Sequence, residues 1–246
     1  MESKEEELIY GFNSIMNAIE GKRKPTKVFI SDNHSSNKVI EACKKYNVAY
    51  QVVDKRKIEQ MARGKNHQGC VALIPSFRYD TLTSLLKKIN EKNSALLLIL
   101  DGIEDPNNFG SLIRTSSCLG IDGIIISKSH QVQVTPTVTK VSTGGEEHIS
   151  IARVSNITQA INELKKHGFW IVASDGHGES FYDEIDYSGK TAIIIGSEGK
   201  GISSLVLKNS DFIAKIPMEG RITSLNAAVA GAIFLAQAIS YRSKKK

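Results

Sequence analysis

Cysteine is scarce in these 246 residues: Cys43, Cys70 and Cys118 are odd in number, far apart and without CxxC spacing. No disulfide framework and no metal site are expected. Long apolar runs are missing as well. The longest, such as Ala95–Leu100, falls far short of a membrane span, and the acidic start Glu2–Glu7 is unlike a signal peptide. A cytoplasmic protein without membrane contact is therefore expected. The common nucleotide signatures also fail: no GxGxxG follows the first strand of the long C-terminal region, and GxxxxGKS or GxxxxGKT does not occur. An ordinary dinucleotide or ATP site is disfavoured. His34, His67, His130, His148, His167 and His177 show no HExxH spacing, and no GxSxG elbow accompanies them. Histidine-based chemistry has no support.

What is present is a globular composition, 41% hydrophobic and 24% charged, with a formal charge of +6 and a pI near 9.1. The excess permits nucleic-acid binding without demanding it. It is uneven: Met1–Phe77 holds 13 basic and 9 acidic residues. That front part is the more basic.

Along the chain, helix and strand patterns alternate. Helices are predicted over Tyr10–Glu20, Asn37–Tyr46 and Lys55–Ala62, and strands over Lys27–Ile30, Ala49–Val53 and Cys70–Ile74. This describes a small α/β domain over 1–77. It carries the triplets Lys22, Arg23, Lys24 and Lys55, Arg56, Lys57, and the polar segment Arg63–Gly69 with Lys65, His67 and Gln68. Such a loop can grip a phosphate backbone, with His67 as an RNA contact rather than a catalyst. The bland alternative for the triplets is a solvated face. An amphipathic helix within Phe77–Asn93 links this domain, residues 78–94 being the linker, to a larger one over 95–246.

The larger domain begins with the continuous apolar strand Ala95–Leu100, the pattern of a strand buried on both faces in a parallel sheet. Further strands are predicted at Gly123–Ser127, Ser150–Val154, Trp170–Ser174, Thr191–Gly196 and Asp211–Ile216, with helices between them. A doubly wound parallel sheet follows, with its ligand crevice at the carboxyl ends of the strands. Three loops there are unusual. Asp101–Gly110 opens a helix bearing Asn108 and Arg114, both of which could face the crevice. Gly196–Gly201 has three glycines around the lone carboxylate Glu198. Ile216–Asn226 precedes a helix with no polar face, which something else must cover all round; Thr223 or Ser224 is its expected cap.

In order, DPNNFGSLIRT, IIIGSEGKGIS and IPMEGRITSLNAAVA closely resemble the three signature motifs of the SpoU/TrmH family of SPOUT methyltransferases. The resemblance covers Leu96–Ile239. YGFNSIMNAIEG and HQGCVA also resemble the opening and closing segments of that family's ribosomal-protein-like substrate-binding domain. It implies transfer of a methyl group from S-adenosylmethionine to an RNA ribose 2′-oxygen, a deep trefoil knot, and a homodimer formed through the last helix. A guanosine of large-subunit ribosomal RNA is the implied target, with tRNA as the alternative. A non-catalytic RNA-binding or ribosome-assembly protein on the same fold is the rival reading. Loss of Arg114, Asn108 or Asn226 would have signalled it, and none is lost.

By position, the resemblance assigns the cofactor to Gly196, Ile216 and Leu225, with Ser174, Gly176, Met218 and Asn226 beside them. It assigns activation of the hydroxyl to Arg114, with Glu198 and Asn108 shaping that site and Ser224 and Asn226 on the facing motif. One assignment meets a physical obstacle. A guanidinium has a pKa above about 12, so Arg114 serves as a general base only if its neighbours make the neutral form accessible. The other role is to bind the adjacent phosphate and stabilise developing alkoxide. Both need Arg114.

Overall fold

The computed structural model describes residues 6–21, 23–31 and 36–245. In chain order the elements are β1 (Glu6–Tyr10), α1 (Phe12–Glu20), β2 (Lys27–Ser31), α2 (Ser36–Lys45), β3 (Tyr50–Val53), α3 (Lys55–Ala62), β4 (Cys70–Pro75), α4 (Leu82–Ile89), β5 (Ala95–Asp101), α5 (Pro106–Leu119) and β6 (Gly123–Ser127). There follow α6 (Pro136–Ser142), a 3-10 turn at Gly145–Glu147, β7 (Ile151–Val154), α7 (Ile157–Lys166), β8 (Trp170–Ser174), β9 (Ser180–Phe181), β10 (Lys190–Gly196), α8 (Ser204–Lys208), β11 (Phe212–Lys215) and α9 (Ala227–Lys244). The chain packs as two compact units, Met1–Arg78 with Gln133–His148, and Tyr79–Val132 with Ile149–Lys246.

In the first unit the strands order β1-β4-β2-β3, with β4 antiparallel to both neighbours and β2 parallel to β3. β1 escaped the sequence reading because its acidic start hides the alternation that buries Ile9. Ile15, Ile19, Val28, Ile30, Val39 and Ile74 fill one side of the sheet, and Phe29, Ile58 and Val71 the other. The segment Gln133–His148 joins this unit although its sequence lies within 95–246. Ser14 Oγ donates to the Thr139 carbonyl at 3.2 Å, and Asn17 Nδ2 to that of Thr143 at 2.5 Å. Gly144 is required at this contact: its φ is +81° and a Cβ there would lie 2.7 Å from the Asn17 Cβ. We propose that the chain divides functionally at 1–77, 78–94 and 95–246, with Gln133–His148 packed on the first unit.

The second unit is an all-parallel sheet of seven strands ordered β7-β6-β5-β10-β8-β11-β9. Its central strands are apolar throughout because helices cover both faces; Leu97, Ile99, Ile125, Ile171 and Ile194 are fully buried. One expected helix is replaced: the described chain between β8 and β10 consists of turns and the short β9. The last helix also differs. Its cap is Asn226, whose Oδ1 accepts from the amides of Ala228 at 2.9 Å and Val229 at 3.2 Å, so neither Thr223 nor Ser224 serves. Within one chain α9 is covered on one side only. Gly231, Phe234, Leu235 and Ala238 are buried against α5 and β10, whereas Val229 stays 47% exposed. Gly231 allows the close approach, since a Cβ there would meet Leu112 Cδ2 at 2.4 Å. Arg242 fixes the far end of α9 through the carbonyls of Tyr187, Ala95 and Gly189 at 2.7–2.9 Å.

Candidate active site

Four neighbouring strands, β5, β10, β8 and β11, end side by side, so the loops that leave their carboxyl ends meet. Each loop is held locally. Asp105 caps α5 by accepting from the Asn107 amide at 2.6 Å, with Pro106 at the first helical position. Asp101 Oδ2 accepts from the Ser203 amide at 2.9 Å, tying the first loop to the second. The second loop closes on itself through Ser197 N to the Gly201 carbonyl at 3.1 Å and Gly201 N to the Ser197 carbonyl at 2.9 Å. That closure explains Gly196. A Cβ there would fall 2.3 Å from the Gly201 carbonyl carbon and 2.4 Å from the Ile202 nitrogen.

Where the loops meet, one side chain from each makes a closed network. Asn108 Nδ2 donates to Glu198 Oε1 at 2.9 Å, and Asn226 Nδ2 donates to Asn108 Oδ1 at 2.8 Å and to the same Glu198 oxygen. With its Oδ1 on two amides of α9, Asn226 has every hydrogen-bonding position occupied. Glu198 does not: among the described residues its Oε2 accepts nothing.

Two clefts adjoin this network and share Ser197 and Glu198. The first is lined by Ser174, Gly176, Gly196, Ile216, Met218, Ser224 and Leu225 among others, with Asp175, Thr223, Ala227 and Ala230. The second, beside it, is lined by Gly102–Asp105, Asn108 and Ser197–Lys200. All the expected cofactor residues except Asn226 line the first cleft, and Asn226 stands at the network beside it. Asp175 was missed by the sequence reading. The available signal was its position directly after β8, between Ser174 and Gly176.

Arg114 is not brought into this network. Six residues beyond Asn108, it is turned by about 240° around α5, at roughly 100° per residue. It is exposed, lines neither cleft, and has no side-chain partner among the described residues. The expectation that Asn108 and Arg114 face one crevice holds for Asn108 alone within a single chain.

The basic residues of the first unit divide sharply. Lys22 lies outside the described residues. Arg23, expected as an RNA contact, is instead sequestered, and this corrects the sequence reading. Its side chain is 9% exposed, with Nε donating to Glu147 Oε1 at 2.9 Å and Nη1 to the Pro75 carbonyl at 3.2 Å. Glu146 and Glu7 lie 3.6 Å from the guanidinium, and the Phe77 ring centre 5.2 Å. Burial raises the Glu147 carboxyl above its usual range, against the pull of Arg23. Lys24, Arg63 and Lys65 remain exposed. His67 Nδ1 accepts from the Gly69 amide at 3.0 Å, and Gln68 Oε1 accepts from the Phe12 amide at 3.1 Å and from Lys140 Nζ at 3.0 Å. These two shape their loop. Among the described residues no helix is long and apolar enough to cross a membrane, and no group of three or more His, Cys, Asp or Glu could hold a metal ion.

Residues 95–236 match the SpoU rRNA Methylase family, and residues 8–80 match the domain described as RNA 2′-O ribose methyltransferase substrate binding. The chain belongs to the SpoU rRNA methylase family. Within this family it is similar to the Bacillus subtilis (strain 168) protein named "Putative TrmH family tRNA/rRNA methyltransferase YacO", at 39% identity over 95% of each chain. Its fold is similar to the AdoMet-bound rRNA methyltransferase of Sinorhizobium meliloti, with 25% identity, a TM-score of 0.79, and coverage of 95% of this chain and 86% of that one. The SpoU methyltransferase AviRb of Streptomyces viridochromogenes shares the fold at 22% identity, with a TM-score of 0.83 over 98% and 91% of the two chains. The family fold is a knotted SPOUT domain following an N-terminal substrate-binding domain.

Proposed function

We propose that this SpoU-family enzyme methylates the 2′-oxygen of a guanosine ribose in large-subunit ribosomal RNA, with S-adenosylmethionine held in the first cleft. The S-adenosylmethionine-dependent 2′-O-methylation of structured RNA is the activity of its family. The observation that carries the reading is the network of Asn108, Glu198 and Asn226, one from each signature motif, at the edge of that cleft.

The cleft suits the cofactor. Ile216, Met218, Leu225 and Ala227 offer apolar surface to a purine, Gly176 leaves open space where a Cβ would meet nothing within 4 Å, and the lining carries carboxylates but no cation. When bound, the cofactor supplies an electrophilic methyl group on a sulfonium. The protein's part is placement. Asn108 and Asn226 fix the Glu198 carboxylate through Oε1 and leave Oε2 to accept from the ribose hydroxyl, orienting its oxygen. Ser224, on the lining, offers a further hydroxyl to the same site. Arg114, exposed and unpaired among the described residues, is assigned to the substrate phosphate and the developing alkoxide. Its exposure leaves the guanidinium open to a phosphate oxygen, the role assigned to it here. Lys24, Arg63 and Lys65 are assigned to RNA phosphates on the first unit. The open side of α9, with Val229 exposed, is assigned to a second copy of the chain.

Mass spectrometry of ribose methylation on ribosomal and transfer RNA, from cells with and without this protein, tests the proposal. One missing guanosine mark in large-subunit RNA, restored by the wild type but not by Arg114→Ala, is the expected result. A missing tRNA mark would move the target to tRNA. If no mark disappears and the purified protein binds no cofactor, the non-catalytic reading takes its place.

A further inference from the structure

The first cleft is lined by two carboxylates, Asp175 and Glu198, and by no lysine, arginine or histidine. Lys200 lines only the adjoining cleft. The two carboxylates differ in what they already hold. Glu198 is bound on Oε1 by two amide groups and its free Oε2 is assigned above to the ribose hydroxyl, whereas Asp175 is held by backbone groups and its free oxygen has no such assignment. Its amide donates to the Ala214 carbonyl at 3.0 Å, its carbonyl accepts from the Gly178 amide at 3.0 Å, and its Oδ1 accepts from the His177 amide at 2.8 Å. Its Oδ2 accepts nothing among the described residues. That oxygen lies toward Gly201, another lining residue, where a Cβ would come within 4.0 Å of it.

A rigid carboxylate with one free oxygen in a partly enclosed cleft is a source of field rather than a flexible counter-ion. Its effect on a bound charge persists where an exposed side chain would be screened. In methyl transfer the bond from sulfur to methyl breaks, its electron pair returns to sulfur, a bond forms from the 2′-oxygen to carbon, and the hydroxyl proton passes to water or to a substrate phosphate. The ligand therefore changes from a net charge of about +1 to about zero at neutral pH, as its sulfonium becomes a thioether. We infer that Asp175 makes the cleft selective for the charge of its ligand, holding the sulfonium form in preference to the spent thioether. Turnover itself then weakens the hold on the product. This inference rests on the reading of the first cleft as the cofactor site.

Calorimetric titration of the full chain with S-adenosylmethionine, S-adenosylhomocysteine and sinefungin, a cationic analogue that cannot transfer methyl, tests it. Asp175→Asn keeps the oxygen that His177 N requires and removes only the charge. Affinity for the two cationic ligands is expected to fall about threefold to tenfold, while that for S-adenosylhomocysteine changes less than about twofold. Equal losses for all three ligands would overturn the inference, because Asp175 would then be meeting a group they share, the ribose diol or the amino group. No change for any ligand overturns it too. Should that variant fail to fold, Asp175→Ser, which also removes the charge and keeps an oxygen for the His177 amide, is titrated in its place with the same expected and contrary results. A wild type that binds none of the three refutes the cofactor reading itself, an outcome distinct from a wild type that binds but does not respond to the substitution.

Discussion

Two polar clusters, one in each unit, gather side chains that are remote in the sequence, and they use them in opposite ways. In the first unit, Arg23 meets Glu147, Glu146 and Glu7, with Glu146 and Glu147 at 0% and 3% side-chain exposure. In the second, Asn108, Glu198 and Asn226 meet at the rim of two clefts. The first cluster turns its charge inward and fastens Gln133–His148 to the N-terminal fold. The second uses amides to fix a carboxylate while leaving one of its oxygens free. A charge neutralised by its neighbours holds structure, and a fixed one with a vacancy is available for chemistry. Basic residues in a sequence do not reveal which of these they will become.

The largest expected effect sharpens the functional side of this contrast. Arg114→Ala should lower methyl transfer by about 10²–10⁴-fold while leaving S-adenosylmethionine affinity nearly intact, because removal of a positioned charge-stabilising group costs on that order. Single-turnover transfer and calorimetry check it, and near-normal transfer would remove Arg114 from the site. On the structural side, Arg23→Met should cost about 3–5 kcal/mol, since it strands buried carboxylates. Denaturant unfolding of the first unit reads this directly; a loss under about 1 kcal/mol would mean that the cluster holds little. By the same logic, deletion of Met1–Phe77 should expose the segment that packs on it. The truncated chain would leave Val138, Thr139, Glu146 and Glu147 without the residues that bury them, and proteolysis should cut first within 133–148.

A change at the second loop tests rigidity rather than charge. Gly196→Ala places a methyl group on the Gly201 backbone and should weaken cofactor binding by roughly 5- to 150-fold, the equivalent of about 1–3 kcal/mol of overpacking. Calorimetry that shows unchanged affinity would mean the loop relaxes freely. On the first unit, replacing Lys24, Arg63 and Lys65 together by alanine should lower RNA affinity and flatten its salt dependence by about 0.7–0.9 for each phosphate no longer neutralised. Adding Arg23 to that set should not flatten it further, which separates the solvent-facing cations from the sequestered one. The smallest effect is chemical. Burial pushes the Cys43 thiol up to about 11 and, against the opposing charge of Lys140, the Cys70 thiol up to about 12, whereas Cys118 on α5 is exposed. Alkylation of the native protein near pH 8 should label Cys118 alone, and early labelling of Cys70 would mean that the first unit opens.

Much of the scaffold was legible in the sequence because it follows from local rules. α3 and the strands at Gly123–Ser127 and Trp170–Ser174 have the predicted boundaries, since periodicity and turn residues act over a few positions. The three loops were legible from their glycines and their place after apolar strands, and the family resemblance linked them. Less legible was anything that depended on a partner far along the chain. The basic triplet at Lys22–Lys24 gave no sign that Arg23 would turn inward, because its partners Glu146 and Glu147 lie more than a hundred residues away. Asp175 comes to the cleft only because β8 lies between β10 and β11. The cap of α9 was misread because Asn226 does two jobs, binding the helix amides through its oxygen and the Asn108–Glu198 pair through its nitrogen.

By itself, the sequence determined the alternating elements, the apolar parallel strands, the three polar loops at their ends and the absence of other nucleotide fingerprints. All of these are short-range properties of side-chain pattern and backbone preference. Only the tertiary structure decided which charges are buried and which are free, that Asn108, Glu198 and Asn226 share one network while Arg114 stands apart, and that Gln133–His148 belongs with the first unit. The physical reason is that hydrogen bonds and ion pairs act over a few ångströms in space, whereas the residues that form them here are separated by 28 to more than 100 positions in the chain.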